Sequence, residues 1–96
     1  MKNLFDIKDK VIVITGGCGI LGKNIANYLA EQGAKIVILD RVEEAGRELE
    51  AELNRKSEAL FLVTDVLNKE VLEENKKAIL ERFGTIDVLL NAAGGN

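Results

Sequence analysis

Four short apolar runs alternate with three longer amphipathic segments along this chain of 96 residues. The runs are Val11–Thr15, Lys35–Asp40, Ala59–Thr64 and Ile86–Leu90. The first, VIVIT, is β-branched throughout and too short for a buried helix, so it reads as a central parallel strand. Between the runs, Ile20–Gln32 places Leu21, Ile25 and Leu29 four apart on one helix face, with Lys23, Asn24, Asn27, Glu31 and Gln32 mostly elsewhere. Gly33 is the expected stop of that helix. Val42, Ala45, Leu49 and Leu53 keep helical spacing in a charged segment ending near Lys56, and Leu67–Phe83 forms a third helical stretch. The order is therefore βαβαβαβ, an α/β pattern. Its short connections predict a Rossmann-type parallel sheet with helices on both faces and right-handed crossovers. The expected strand order is 3-2-1-4, which puts a ligand crevice at the switch point between the ends of the first and fourth strands.

The chemistry sits where the first strand ends. Gly17, Gly19 and Gly22 match G-x-G-x-x-G, in which the first glycine permits a tight turn, the second admits a pyrophosphate to the backbone, and the third lets helix pack on strand. The following helix start offers free N–H donors and the positive end of its dipole. A tight turn without a ligand would show the same glycines. Asp40, eighteen residues past Gly22 at the end of the second strand, favours the ligand reading, because a dinucleotide site expects an acid there to accept from the adenosine ribose hydroxyls. That carboxylate repels a 2′-phosphate and so selects NAD over NADP. Arg41 pulls toward NADP if its guanidinium reaches the ribose, and is neutral if it points into water.

Taken together, Thr15-Gly16-Gly17-Cys18-Gly19-Ile20-Leu21-Gly22, Asp40, Asp65-Val66 and Asn91-Ala92-Ala93-Gly94 resemble the N-terminal half of a short-chain dehydrogenase/reductase. The likeness runs over essentially the whole chain, and NAAG is its most discriminating element. The start LFDIKDKVIVITGG and the ending NAAGGN are most similar to the mannonate- or fructuronate-type sugar-acid oxidoreductases of that family. The resemblance implies that the backbone of Gly16, Gly17, Cys18, Gly19 and Gly22 holds the pyrophosphate, approached by Ile20 and Leu21 from the helix start. It implies ribose binding by Asp40, with Arg41 beside it, and adenine binding by Asp65 and the Val66 backbone. Asn91 would steady the fourth strand, while Ala92, Ala93 and Gly94 leave room for the cofactor to pass. Plainer roles stay open: Asp65 or Asn68 as a helix cap, Asn91 as a turn former, and Cys18 as packing or, because a helix start lowers a thiol pKa, as a redox group. Counted from Thr15, the spacing T-G-x-x-G-x-x-G is more usual in extended members of the family, whereas NAAG belongs to the shorter ones.

The family transfers hydride with a tyrosine acid/base, a lysine four residues later and an orienting serine. Here the only tyrosine, Tyr28, is followed four places on by Gln32, and the only serine is Ser57. Residues 1–96 are therefore expected to form one dinucleotide-binding domain that stops before the catalytic segment and is inactive alone. A stand-alone nucleotide-binding or assembly module without catalysis is the alternative. Without histidine, and with one cysteine, these residues cannot build an imidazole catalyst or a structural zinc site. The remaining composition, 47% hydrophobic and 30% charged with a net charge of −3, suits a globular piece and argues against nucleic acid. No apolar run approaches the roughly twenty residues of a membrane span, MKNLFDIKDK is too polar for a signal peptide, and a lone thiol fits the cytoplasm. An apolar fourth strand at a sheet edge recruits a partner strand, so homo-oligomerisation through Ile86–Leu90 is expected.

Overall fold

The computed structural model describes residues 6–92. Ala93 and Gly94, two of the expected cofactor-site residues, lie outside the described residues. The elements are β1 (Val11–Thr15), α1 (Ile20–Glu31), β2 (Lys35–Asp40), α2 (Glu43–Asn54), β3 (Ala59–Val63), α3 (Lys69–Phe83) and β4 (Val88–Asn91). All three pairings are parallel, and the order is β3-β2-β1-β4, as the alternating pattern predicts. The registers Thr15↔Leu39, Asp40↔Val63 and Thr15↔Asn91 bring the C-terminal ends of all four strands to one edge of the sheet.

Both sheet faces are covered, which is why the strands read as continuous apolar runs. Ile12, Ile14, Ile36, Ile38, Ala59 and Phe61 point to one face and pack with Ala26, Ala30, Leu49 and Leu53 of α1 and α2. Val11, Val13, Val37 and Leu39 point to the other and pack with Ile79 of α3. The split follows from topology. The first two crossovers add strands in one direction and the third reverses it, so a constant crossover hand moves α3 to the opposite face.

The buried face of α1 differs from the expected one. Gly22, Ala26 and Ala30 are buried, Leu21 is exposed, and Ile25 and Leu29 pack at the margin of the core. Small residues let the helix axis come close to the sheet, and the larger side chains then flank the contact. In α2, Gly46, Leu49 and Leu53 face inward, while Val42 is exposed and precedes the helix. A Cβ built on Gly46 collides with the ring of Phe61, so α2 rests directly on that aromatic.

The two sheet edges are finished differently. Along β3, the Phe61 N–H donates to Glu50 Oε2 (2.7 Å) and the Ala59 N–H to Asn54 Oδ1 (2.9 Å), so side chains of α2 cap its outer side. β4 carries no outer strand among the described residues, and Leu89 is 66% exposed. The strand begins at Val88 and not at the expected Ile86, which is part-buried beside the second core. Its start is tied to β1 by Asp87: its N–H donates to the Val11 carbonyl (2.9 Å) and its Oδ2 accepts from the Val11 N–H (2.8 Å). The third run ends as strand at Val63, one residue early, although the Thr64 N–H still donates to the Asp40 carbonyl (2.8 Å) and its hydroxyl donates to the Leu62 carbonyl (2.9 Å).

Candidate functional site

The glycine turn leaves β1 at Thr15 and enters α1 at Ile20. Gly16 has φ +69°, so the left-handed residue of the turn is Gly16 and not Gly17, to which the G-x-G-x-x-G reading gave the tight turn. Gly17 is small for another reason: a Cβ there would lie 2.8 Å from Ile38 Cδ1. Gly22 is small for close packing, as expected, but against the turn and not the strand. A Cβ on it would meet Gly16 O and Gly17 Cα at 2.7 Å, so only glycine lets the first turn of α1 lie on the loop. The working pattern is thus Gly16-x-x-Gly19-x-x-Gly22, the T-G-x-x-G-x-x-G spacing.

Gly19 occupies the N-cap position of α1 without a side-chain cap, and the first turn holds no acid. The other helices differ. α2 has Glu43 and Glu44 in its first turn, and α3 is capped by Asn68, whose side chain accepts from the Glu70 and Val71 N–H groups. Helix starts carry unpaired N–H donors and partial positive charge. Among the described helices only α1 has neither a first-turn acid nor a side-chain cap, which is the arrangement an incoming anion requires.

Opposite the turn stands Asp40. Its Oδ2 accepts from the Cys18 N–H (3.0 Å), and its Oδ1 accepts from the N–H groups of Arg41 (2.6 Å) and Val42 (3.3 Å). A carboxylate offers about four acceptor positions, so Oδ2 keeps capacity for a ligand hydroxyl. Asp65 does not cap α3. It closes a local turn by accepting from the Leu67 N–H at Oδ1 (2.9 Å), and Asn68 takes the capping role. At the far side, Asn91 lies within β4, not in a turn, and its Oδ1 accepts from the Thr15 hydroxyl (3.0 Å), locking the ends of β1 and β4 together.

A cleft of ≈ 520 Å³ at the C-terminal edge of the sheet is lined by Gly16, Gly19, Asp40, Arg41, Asp65 and Val66, with Ala92; Gly17, Cys18, Gly22 and Asn91 do not line it. Three further lining residues, Leu39, Thr64 and Leu67, escaped the sequence reading. Thr64 is fully buried, and its hydroxyl accepts from Asn75 Nδ2 (2.7 Å), tying α3 to the cleft floor. The T-D pair after the third run was the available signal. Ile20 and Leu21, at the start of α1, are largely exposed. Tyr28 and Ser57 do not line the cleft. The redox reading of Cys18 does not hold: burial first, and then the Asp40 charge and hydrogen bond, push its thiol up to about 11 despite the helix start and Lys23 nearby. A thiol so held is almost wholly protonated at neutral pH.

The short chain dehydrogenase family model matches residues 10–96. The chain belongs to this family. Among curated relatives of this family member, an uncharacterized oxidoreductase of Bacillus subtilis is 40% identical over 92 residues, which cover 95% of this chain and 33% of the relative. Short-chain dehydrogenase reductase 3c of Arabidopsis thaliana is 38% identical, over 92% of this chain and 34% of its own. Among solved structures, a candidate D-mannonate oxidoreductase from Haemophilus influenza with bound NAD superposes with TM-score 0.88 at 38% identity, covering 95% of this chain and 33% of that one. An NAD+-bound xylitol dehydrogenase gives TM-score 0.83 at 36% identity, over 86% of this chain and 32% of that one. The short-chain dehydrogenase chain described here thus spans about a third of the length of these relatives. No described helix is long and apolar enough to cross a membrane.

Proposed function

We propose that this chain is the NAD-binding portion of an NAD-dependent short-chain oxidoreductase, which in complete form acts on a sugar acid or a similar alcohol or ketone. One observation carries the reading: the one helix start among the described residues without an acid or side-chain cap and the Asp40 carboxylate face one cleft at the strand ends. In this reading the turn from Gly16 to Gly22, with the N–H groups at Ile20 and Leu21, holds the pyrophosphate. The remaining lone pair of Asp40 Oδ2 accepts from the adenosine ribose, the free oxygen of Asp65 and the Val66 backbone meet the adenine, and Ala92, Ala93 and Gly94 border its path. Bound nicotinamide would supply the hydride acceptor or donor. Neither Tyr28 nor Ser57 lines the cleft, so the role read for these residues is to hold the cofactor. The named neighbours, one described as a D-mannonate oxidoreductase and one as a xylitol dehydrogenase, both with NAD, support the cofactor and the polyhydroxylated substrate class. A cytoplasmic site of action follows from that cofactor and the unpaired thiol.

The choice of NAD over NADP rests on charge. Arg41 lines the cleft beside Asp40, but a 2′-phosphate would also meet the part-buried Asp40 carboxylate, whose repulsion outweighs the attraction of an exposed guanidinium. Calorimetric titration of the chain with NAD, AMP and NADP tests the proposal. NAD and AMP are expected to bind and NADP to bind more weakly. Tighter binding of NADP would reverse the role of Asp40, and no heat with any of the three would remove the cofactor reading.

A further inference from the structure

A turn containing Gly16, Gly17 and Gly19 within four residues has unusually much conformational freedom to lose when it closes on a ligand. Besides the Gly19 N–H to Gly16 carbonyl bond within the turn (3.3 Å), two hydrogen bonds tie it to β2 without any ligand. The Gly16 N–H donates to the Leu39 carbonyl (2.8 Å), and the Cys18 N–H donates to Asp40 Oδ2 (3.0 Å) across 22 residues of sequence. The second is charge-assisted, part-buried, and made to a side chain that is itself fixed. Its other oxygen is taken by the Arg41 and Val42 N–H groups at the rigid end of β2.

We propose that Asp40 is a positioning residue for the phosphate-binding turn: through the Cys18 amide it holds the turn in its receiving shape before a nucleotide arrives, separately from any contact with the ribose. Rigidifying a loop in its bound conformation raises affinity by lowering the ordering cost of binding. The nucleotide part of this inference rests on the cofactor reading above, and the turn-ordering part does not. The half-buried position of Cys18 is consistent with a turn folded down onto the carboxylate.

The two roles of Asp40 separate with a ligand lacking ribose hydroxyls, 2′,3′-dideoxyadenosine diphosphate. If Asp40 serves only the ribose, Asp40→Ala leaves this ligand's binding unchanged or strengthens it, since a negative charge near the phosphates is removed. If Asp40 holds the turn, binding weakens by about tenfold, the equivalent of losing one charge-assisted hydrogen bond. Amide hydrogen exchange on the ligand-free chain supplies a measurement that needs no nucleotide. In wild type the Cys18 amide is expected to be protected, like that of Gly16. In Asp40→Ala it should exchange at least about tenfold faster, with the amides of β1 and β2 unchanged, since the other bonds lost, to the Arg41 and Val42 N–H groups, lie beyond the end of β2. A Cys18 amide unprotected in wild type overturns the proposal without any variant, so a poorly folded Asp40→Ala would not shield it. Equal or tighter binding of the dideoxy ligand by the variant overturns it as well. If neither protein binds NAD or the dideoxy ligand, the cofactor reading falls, and the exchange data still decide whether Asp40 orders the turn.

Discussion

Replacing Gly46 by alanine sets local preference against tertiary packing, with opposite signs. Gly46 lies in the interior of α2, where alanine is intrinsically favoured by about 0.5–1 kcal/mol. Judged by sequence alone, the substitution stabilises. In the fold, however, the new Cβ lands within the van der Waals envelope of Cε1, Cζ and Cδ1 of Phe61. Phe61 is 0% exposed, and it packs in the same core as Leu49, Leu53 and Ile38. Its backbone N–H is fixed to Glu50, and Arg47 sits over the ring at 5.3 Å, so the aromatic cannot move without disturbing α2 on the same side. Overpacking a closed core of this kind costs about 1–3 kcal/mol, and a clash with a ring edge lies in the upper part of that range. After subtracting the helix preference, Gly46→Ala should destabilise by about 1–2 kcal/mol, against a total of about 5–14 kcal/mol for a chain of this size. The corresponding fall in Tm is about 4–16 °C. Urea denaturation followed by far-ultraviolet circular dichroism measures it, with Phe61→Leu as the partner in a double-mutant cycle. The smaller, flexible side chain should make Gly46→Ala much less costly in that background. A Gly46→Ala chain as stable as wild type, or more stable, would refute the reasoning, because helix preference would then have decided the sign.

The other predictions concern the turn and the open edge. Gly22→Ala should leave the circular dichroism spectrum helical but weaken NAD binding by at least about tenfold in calorimetry, since the added Cβ must displace the backbone of Gly16 and Gly17. With its thiol held near 11 and not at the ordinary 9.0, Cys18 should react with iodoacetamide at pH 8 about tenfold more slowly than a peptide cysteine, the scarcer thiolate being partly offset by its greater nucleophilicity, and its rate should still be rising with pH above 10. A rate that levels off near pH 9 would show that neither burial nor Asp40 perturbs it. For the 96-residue chain, sedimentation should show concentration-dependent association through β4, and Leu89→Lys should shift it toward monomer by placing a charge on the exposed apolar strand. A wild-type chain that sediments as a monomer at tens of micromolar would count against a role for that edge.

Much of the site was legible before any coordinates because a parallel sheet aligns the ends of its strands. Thr15, Asp40 and Asn91 each close an apolar run, and the registers bring them to one edge, where the glycine turn also lies. Less legible was what each residue does there. The sequence offered Asp65 and Asn68 equally as caps for α3, and only the backbone positions select Asn68. It placed the tight turn at Gly17, while the left-handed residue is Gly16. It did not register Thr64, an ordinary strand former, as a buried link between β3 and α3.

Sequence alone determined the element types, their order and the strand order, because periodicity, β-branching and glycine placement act within a few residues, and crossover handedness then restricts the topology. Tertiary structure decided how closely the layers approach. The face of α1 carrying Gly22, Ala26 and Ala30 is buried in preference to the larger Leu21, Ile25 and Leu29, because the helix must lie against the turn it follows. The same approach brings the Cys18 amide to Asp40, keeps its thiol protonated, and leaves the start of α1 open at the cleft. Such contacts join residues twenty or more apart, and no local pattern encodes their distance.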